Sequence, residues 1–306
     1  MNSGAKSIPD PTHLKRTDFQ IEYLNCAWVE DSRIATDRVI LFFHGGGYHI
    51  GGFETHKRLM CHLATAAHAK VLFVDYRKAP EFKFPAPIED AKLVYQYLLN
   101  SGYSNSKIAI AGDSAGGGLA LAISVHLKEE NLPLPTSITL ISPWVDLSGS
   151  GKSIQTKKDV DPWLDEKTVK SWGESYIGHE SLHHPFASPL YANLENLPPI
   201  LIHVGTNEVL LDDSTRLYDR LIASKIEAEL KIWEGMIHVF QNFDYIYPEA
   251  NKSIVELGNF IQHHFSKASE WHFVKKKKLS SSTNSKVESK KKSSPSKKKS
   301  QKQKPR

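Results

Sequence analysis

The sequence predicts an α/β fold, a mostly parallel twisted sheet flanked by helices. Two observations predict it. Short apolar runs rich in β-branched and aromatic residues recur at 39–43, 71–75, 108–111, 138–142, 200–204 and 228–233. Uninterrupted apolar runs of this length suit strands buried on both faces, as parallel strands are. Between them lie stretches of helical length at 55–69, 88–101, 116–130 and 213–224, with another at 248–265. That alternation implies right-handed crossovers with helices on both faces of the sheet.

The elements differ in how they are marked. Segment 21–29 alternates apolar and polar residues more than the later runs, which suggests an antiparallel edge. Residues 149–196 break the rhythm and read as an insertion, with Trp163, Trp172, Tyr176 and Phe186 around a helix at 165–176. These aromatics could line an apolar pocket or simply pack on the body. No repeat at solenoid spacing is visible.

Composition divides the chain. Residues 275–306 carry fourteen of the 39 Lys and Arg residues and one of the 34 acidic residues, Glu288. The tail is therefore about +13 and the body about −8, although the whole chain sums to +5. With almost no apolar residues to offset the entropy of ordering, the tail reads as disordered. It either stays solvated or binds an acidic polyanion, nucleic acid or a membrane surface, through charge. Cys26 and Cys61 lie in apolar-patterned segments, so free thiols are expected rather than a disulfide scaffold. The N-terminus lacks the apolar stretch of a signal peptide, and no segment reaches membrane-spanning length. A cytoplasmic location follows as the expectation.

The chemistry gathers at strand ends. Ser114 of Gly112-Asp113-Ser114-Ala115-Gly116 follows the 108–111 strand and precedes a helix. A nucleophile on a sharp strand-to-helix turn needs small residues two before and two after it, and Gly112 and Gly116 meet that need. The alternative is an ordinary glycine turn with a capping serine. His44-Gly45-Gly46-Gly47 closes the 39–43 strand, where side-chain-free amides could converge on an oxyanion. No clustered His, Cys, Asp or Glu spacing suggests a metal site, and no Gly-Lys-Ser/Thr follows either glycine loop, so neither metal nor cofactor is expected.

These motifs, with Asp75-Tyr76-Arg77-Lys78-Ala79-Pro80-Glu81 between them, resemble the hormone-sensitive lipase-like esterases of the α/β-hydrolase superfamily. The similarity continues through Ser142-Pro143-Trp144-Val145-Asp146-Leu147-Ser148, Asp161-Pro162, Ala187-Ser188-Pro189-Leu190 and Gly235-Met236-Ile237-His238, and so covers about 20–265. The resemblance implies an oxyanion hole formed by the amides of Gly46, Gly47 and Ala115. It implies His238 as the base for Ser114, just beyond the last strand. It also implies an acid three residues after Gly205, which is Glu208. Family members more often carry Asp-Pro-Leu where this chain has Glu-Val-Leu, so Asp212 stays open as the alternative acid.

The family also implies a cap over the site. The candidates are residues 1–18 and the insertion 149–196, around a catalytic domain at 19–274. Asp75, Arg77, Glu81 and Asp90 are expected to form a network beneath the glycine loop, and Asp146 either supports the site or lines the acyl pocket. The activity implied is a serine carboxylesterase for small, short-acyl esters. Amide or formamide deacylation is the near variant, and a non-catalytic small-molecule receptor is the alternative on the same fold. Expected partners are the ester, a polyanion at the tail and a second copy of the chain.

Overall fold

The computed structural model describes residues 11–268. The chain divides into a unit of residues 1–265 and a second of 266–306, of which only the helical residues 266–268 are described. The basic tail, 275–306, and residues 1–10 of the expected cap segment therefore lie outside the described residues.

Eight strands form one sheet: β1 (Leu14–Ile21), β2 (Leu24–Asp31), β3 (Val39–Phe43), β4 (Lys70–Val74), β5 (Ile108–Asp113), β6 (Ile138–Ile141), β7 (Ile200–Asn207) and β8 (Ala228–Ile237). Their order is β1-β2-β4-β3-β5-β6-β7-β8. The pairs from β4 to β8 are parallel, whereas β1 on β2 and β2 on β4 are antiparallel. All residues of β3, β5 and β6 are buried, which is why their sequences run apolar without alternation.

Six helices are bounded as α1 (Phe53–Ala67), α2 (Ala86–Asn100), α3 (Ala115–Glu129), α4 (Ser153–Thr156), α5 (Glu166–Ile177) and α6 (Leu211–Ala223), and residues 248–265 form α7. Apolar side chains of α1 and α7, including Leu59, Leu63, Leu257 and Ile261, pack on one sheet face. Those of α2, α3 and α6, including Val94, Leu119, Ile123 and Leu217, pack on the other. Each fully buried side chain of this kind contributes about 1.5–3 kcal/mol, so both helical layers are held firmly. Among the described residues no helix is long and apolar enough to cross a membrane.

The antiparallel edge is larger than segment 21–29. It is a hairpin of two eight-residue strands that turns at Glu22, where φ is 52°. Residues 14–18, expected in the cap segment, belong to its outer strand. Most of β1 is exposed, so its sequence lacks an apolar signature. The last two parallel strands also outrun their apolar cores. β7 extends through Gly205-Thr206-Asn207, with a register shift against β8 between Gly205 and Asn207, and β8 reaches Ile237. This extension delivers His238 directly from a strand end.

Candidate active site

Ser114 sits between β5 and α3 with φ 53° and ψ −121°, a conformation that side-chain-bearing residues rarely adopt. The neighbouring backbone explains the flanking glycines. A β-carbon on Gly112 would stand 2.2 Å from the Gly116 carbonyl oxygen, and one on Gly116 would stand 2.0 Å from that of Phe43. The Ser114 amide donates to the Ile141 carbonyl at 2.9 Å, and its carbonyl accepts from Trp144 at 2.9 Å. The turn is thereby held from β6 as well. Although Ser114 occupies the N-cap of α3, its side chain caps nothing, which removes the capping-serine alternative.

Its hydroxyl turns instead to His238. Ser114 Oγ lies 3.0 Å from His238 Nε2, and His238 Nδ1 lies 2.9 Å from Glu208 Oε2. An ionised carboxylate can only accept, so in the neutral ring the proton belongs on Nδ1, leaving the Nε2 lone pair toward Ser114. All three side chains are buried, Glu208 completely and Ser114 at 7% exposure. Burial disfavours charge on His238, but the hydrogen-bonded Glu208 carboxylate outweighs it and holds the imidazole pKa above its ordinary value.

Glu208 is anchored in turn. Its Oε1 accepts from Ser142 Oγ at 2.8 Å and from the Gly205 amide, and Ser142 Oγ accepts from the Val239 amide at 3.2 Å. One hydroxyl thus ties Glu208 to the loop that carries His238. Sequence reasoning assigned Ser142 no role. The signal was its place at the end of β6, beside the strand ends carrying the other site residues.

Asp212, the alternative acid, is elsewhere. It lies in the first turn of α6, where its carboxylate accepts from the Ser153 amide at 3.1 Å and so binds the insertion. The longer glutamate side chain at 208 spans the distance to His238 without help from Asp212.

The glycine loop closes the other side. Gly46 and Gly47 have φ of 119° and 62°, and β-carbons there would strike the Ile50 carbonyl at 2.1 Å and the Trp172 ring at 1.9 Å. Among the described residues the Gly46, Gly47 and Ala115 amides donate to no protein acceptor. Donors freed in this way can serve a bound oxygen. The Gly45 amide donates to Asp113 Oδ1 at 3.0 Å, and the Tyr76 hydroxyl donates to the His44 carbonyl at 2.7 Å.

The network expected beneath this loop is only partly composed as the sequence suggested. Arg77 donates through its amide at 2.7 Å and Nε at 2.8 Å to buried Asp90, and reaches Glu89 at 3.0 Å. Asp75, just after β4, pairs instead with Lys78, and Glu81, in the turn seven residues beyond that strand, is exposed. Asp146 is a support: it accepts from Ser148, Ser150 and Arg216 Nη1, the last at 2.9 Å, and so fixes the root of the insertion. Buried Asp161 bridges the insertion to the loop that carries Glu208 by accepting from the Val209 amide at 2.9 Å.

The insertion's aromatics divide. Tyr176 is fully buried and stacks on Tyr48 at 3.8 Å, whereas Trp172 lies over the glycine loop beside His49. Trp163 is half exposed and stacks on Phe243 at 5.8 Å. Phe186 packs at the edge of the core. Among the described residues, no group of three or more His, Cys, Asp or Glu side chains could hold a metal ion.

Residues 40–242 match a protein family described by the alpha/beta hydrolase fold. An acetyl-hydrolase of Streptomyces hygroscopicus is 36% identical over 242 residues, covering 79% of this chain and 81% of the relative. An esterase of Acinetobacter venetianus is 33% identical over 246 residues, with 79% and 81% covered. The crystal structure of an esterase from the bacterial hormone-sensitive lipase family superimposes with a TM-score of 0.84 at 39% identity, covering 86% of this chain and 89% of that one.

Proposed function

Because the chain belongs to the hormone-sensitive lipase-like esterases of the α/β-hydrolase fold and is a carboxylic ester hydrolase, we propose that it cleaves small, short-acyl esters through an acyl-Ser114 intermediate. The observation that carries the reading is the buried chain from Ser114 Oγ through His238 to Glu208.

A serine hydroxyl is a weak nucleophile near neutrality, so His238 Nε2 takes its proton as Oγ attacks the ester carbonyl. Glu208 fixes the ring and stabilises the imidazolium that forms. The carbonyl oxygen becomes an oxyanion between the amides of Gly46, Gly47 and Ala115, where each preorganised donor is worth roughly 3–4 kcal/mol of barrier. His238 then returns its proton to the departing alcohol, leaving Ser114 acylated. Water, deprotonated by the same nitrogen, attacks the acyl carbon and releases the acid.

Short acyl chains are favoured because Trp172 stands directly against Gly47, which restricts the space beside the oxyanion donors. Hydrolysis of p-nitrophenyl esters of increasing acyl length tests this preference: acetate or butyrate should give the highest kcat/KM. A maximum at long chains would contradict it.

A further inference from the structure

Behind the glycine loop lies a second buried histidine and carboxylate, separate from the Ser114 chain. Asp113, the residue before Ser114, is 2% exposed, and His56 of α1 is 6% exposed. His56 Nε2 lies 3.2 Å from Asp113 Oδ2, while Asp113 Oδ1 accepts the Gly45 amide at 3.0 Å. The carboxylate is wedged under the loop, since a β-carbon on Gly45 would stand 2.2 Å from Asp113 Oδ2 and 3.1 Å from Ser114 Cβ.

The contacts of the imidazole set its proton count. His56 Nδ1 lies 2.8 Å from the Thr55 hydroxyl and 3.2 Å from the Gly52 carbonyl, and Nε2 faces a carboxylate. The Thr55 hydroxyl gives its one proton to the Gly52 carbonyl at 2.9 Å, so its oxygen can only accept from Nδ1. Acceptors at both nitrogens call for a proton on each, which is the imidazolium. Burial opposes that charge, yet the Asp113 carboxylate outweighs burial and raises the His56 pKa. The neighbouring His44 ring, 5.6 Å away, is driven the other way by burial and by His56, so it stays neutral.

We propose that His56 is a positioning residue for ester hydrolysis: as an imidazolium it neutralises the Asp113 carboxylate that pins Gly45, and thereby fixes the Gly46 and Gly47 amides. Without this counter-charge, an uncompensated carboxylate would stand beside the place where negative charge develops. Catalysis would suffer more than binding, because the oxyanion exists only after attack. The inference rests on the reading of Ser114 as nucleophile and of the glycine amides as oxyanion donors.

The test is a double-mutant cycle of His56→Gln and Asp113→Asn, with kcat and KM measured on p-nitrophenyl acetate and thermal melts recorded alongside. His56→Gln should lower kcat roughly ten- to a hundredfold, with KM changed less than about threefold. Added to Asp113→Asn, which carries no charge to neutralise, the same substitution should cost less than about threefold. Equal losses in both backgrounds, or an unchanged kcat in His56→Gln, would overturn the proposal. If the single His56→Gln variant does not fold, the double variant decides: folding with the kcat of Asp113→Asn supports charge pairing, and failure to fold overturns it. Native protein inactive on the ester would instead overturn the esterase reading, so the two failures are distinguishable.

Discussion

Trp172 of the insertion stands so close to Gly47 of the glycine loop that a β-carbon on Gly47 would come within 1.9 Å of the indole Cε3. Gly47 also holds φ 62°, so two independent constraints exclude a side chain. Gly47→Ala should therefore lose kcat by about a hundredfold or more, as a misplaced oxyanion donor does. Adding Trp172→Ala removes the collision but leaves the backbone strain, so recovery should be partial in steady-state kinetics.

Trp172→Ala alone should reshape selectivity. Opening the space beside the glycine amides should raise kcat/KM for the hexanoate relative to the acetate by about tenfold, the scale on which apolar pockets discriminate acyl length. Competition between the two p-nitrophenyl esters checks it, and an unchanged ratio places the acyl group elsewhere.

The choice of acid can be tested by amide substitution. Glu208→Gln should lower kcat by roughly a hundredfold or more, because the wrong group faces His238 Nδ1. Asp212→Asn retains an acceptor for the Ser153 amide and should stay within about threefold of the native rate.

As the proposed base, His238 works only when neutral, and the pH profile follows from it. Its pKa lies above the ordinary 6.5 because Glu208 outweighs burial, so activity should fall as pH drops through a midpoint above that value. Glu208→Gln removes the favourable partner, and whatever activity remains should show its acid limb at lower pH.

A separate carboxyl governs stability. Burial and the nearby Asp146 raise the Asp213 pKa to about 8, against an ordinary 3.8, while Oδ2 accepts from the Val145 and Asp146 amides at 2.9 and 3.0 Å. Between those values the folded protein keeps a proton that the unfolded chain releases. Its contribution to stability is fully present below the unfolded pKa and lost as pH rises from about 4 to about 8. Asp213→Asn keeps an oxygen for both amides and cannot ionise. The drop in Tm between mildly acidic and mildly alkaline buffer should be smaller in the variant than in the native protein.

The buried parallel strands were legible because burial on both faces leaves no polar alternation to confuse the reading, as in Val39–Phe43. The outer strand β1 was not, since its exposed Lys15, Arg16, Thr17 and Asp18 carry no apolar period. Ser114, Glu208 and His238 were expected because each follows a strand and the family resemblance marks its position, and the fold brings the three into one hydrogen-bonded chain. Ser142, Asp213 and His56 escaped notice because their importance lies in partners 66, 68 and 57 positions away, a relation no local pattern records. The error over Asp75 and Glu81 has the same origin. A motif gives the residues of a loop, but only the fold decides which of them face inward.

An active-site-directed fluorophosphonate reports whether Ser114 is the nucleophile. Native protein should be labelled on a single peptide containing Ser114, and Ser114→Ala, if folded, should not be labelled at all. A native protein that resists the probe, or a Ser114→Ala variant labelled to the same extent, would rule out Ser114 as the nucleophile.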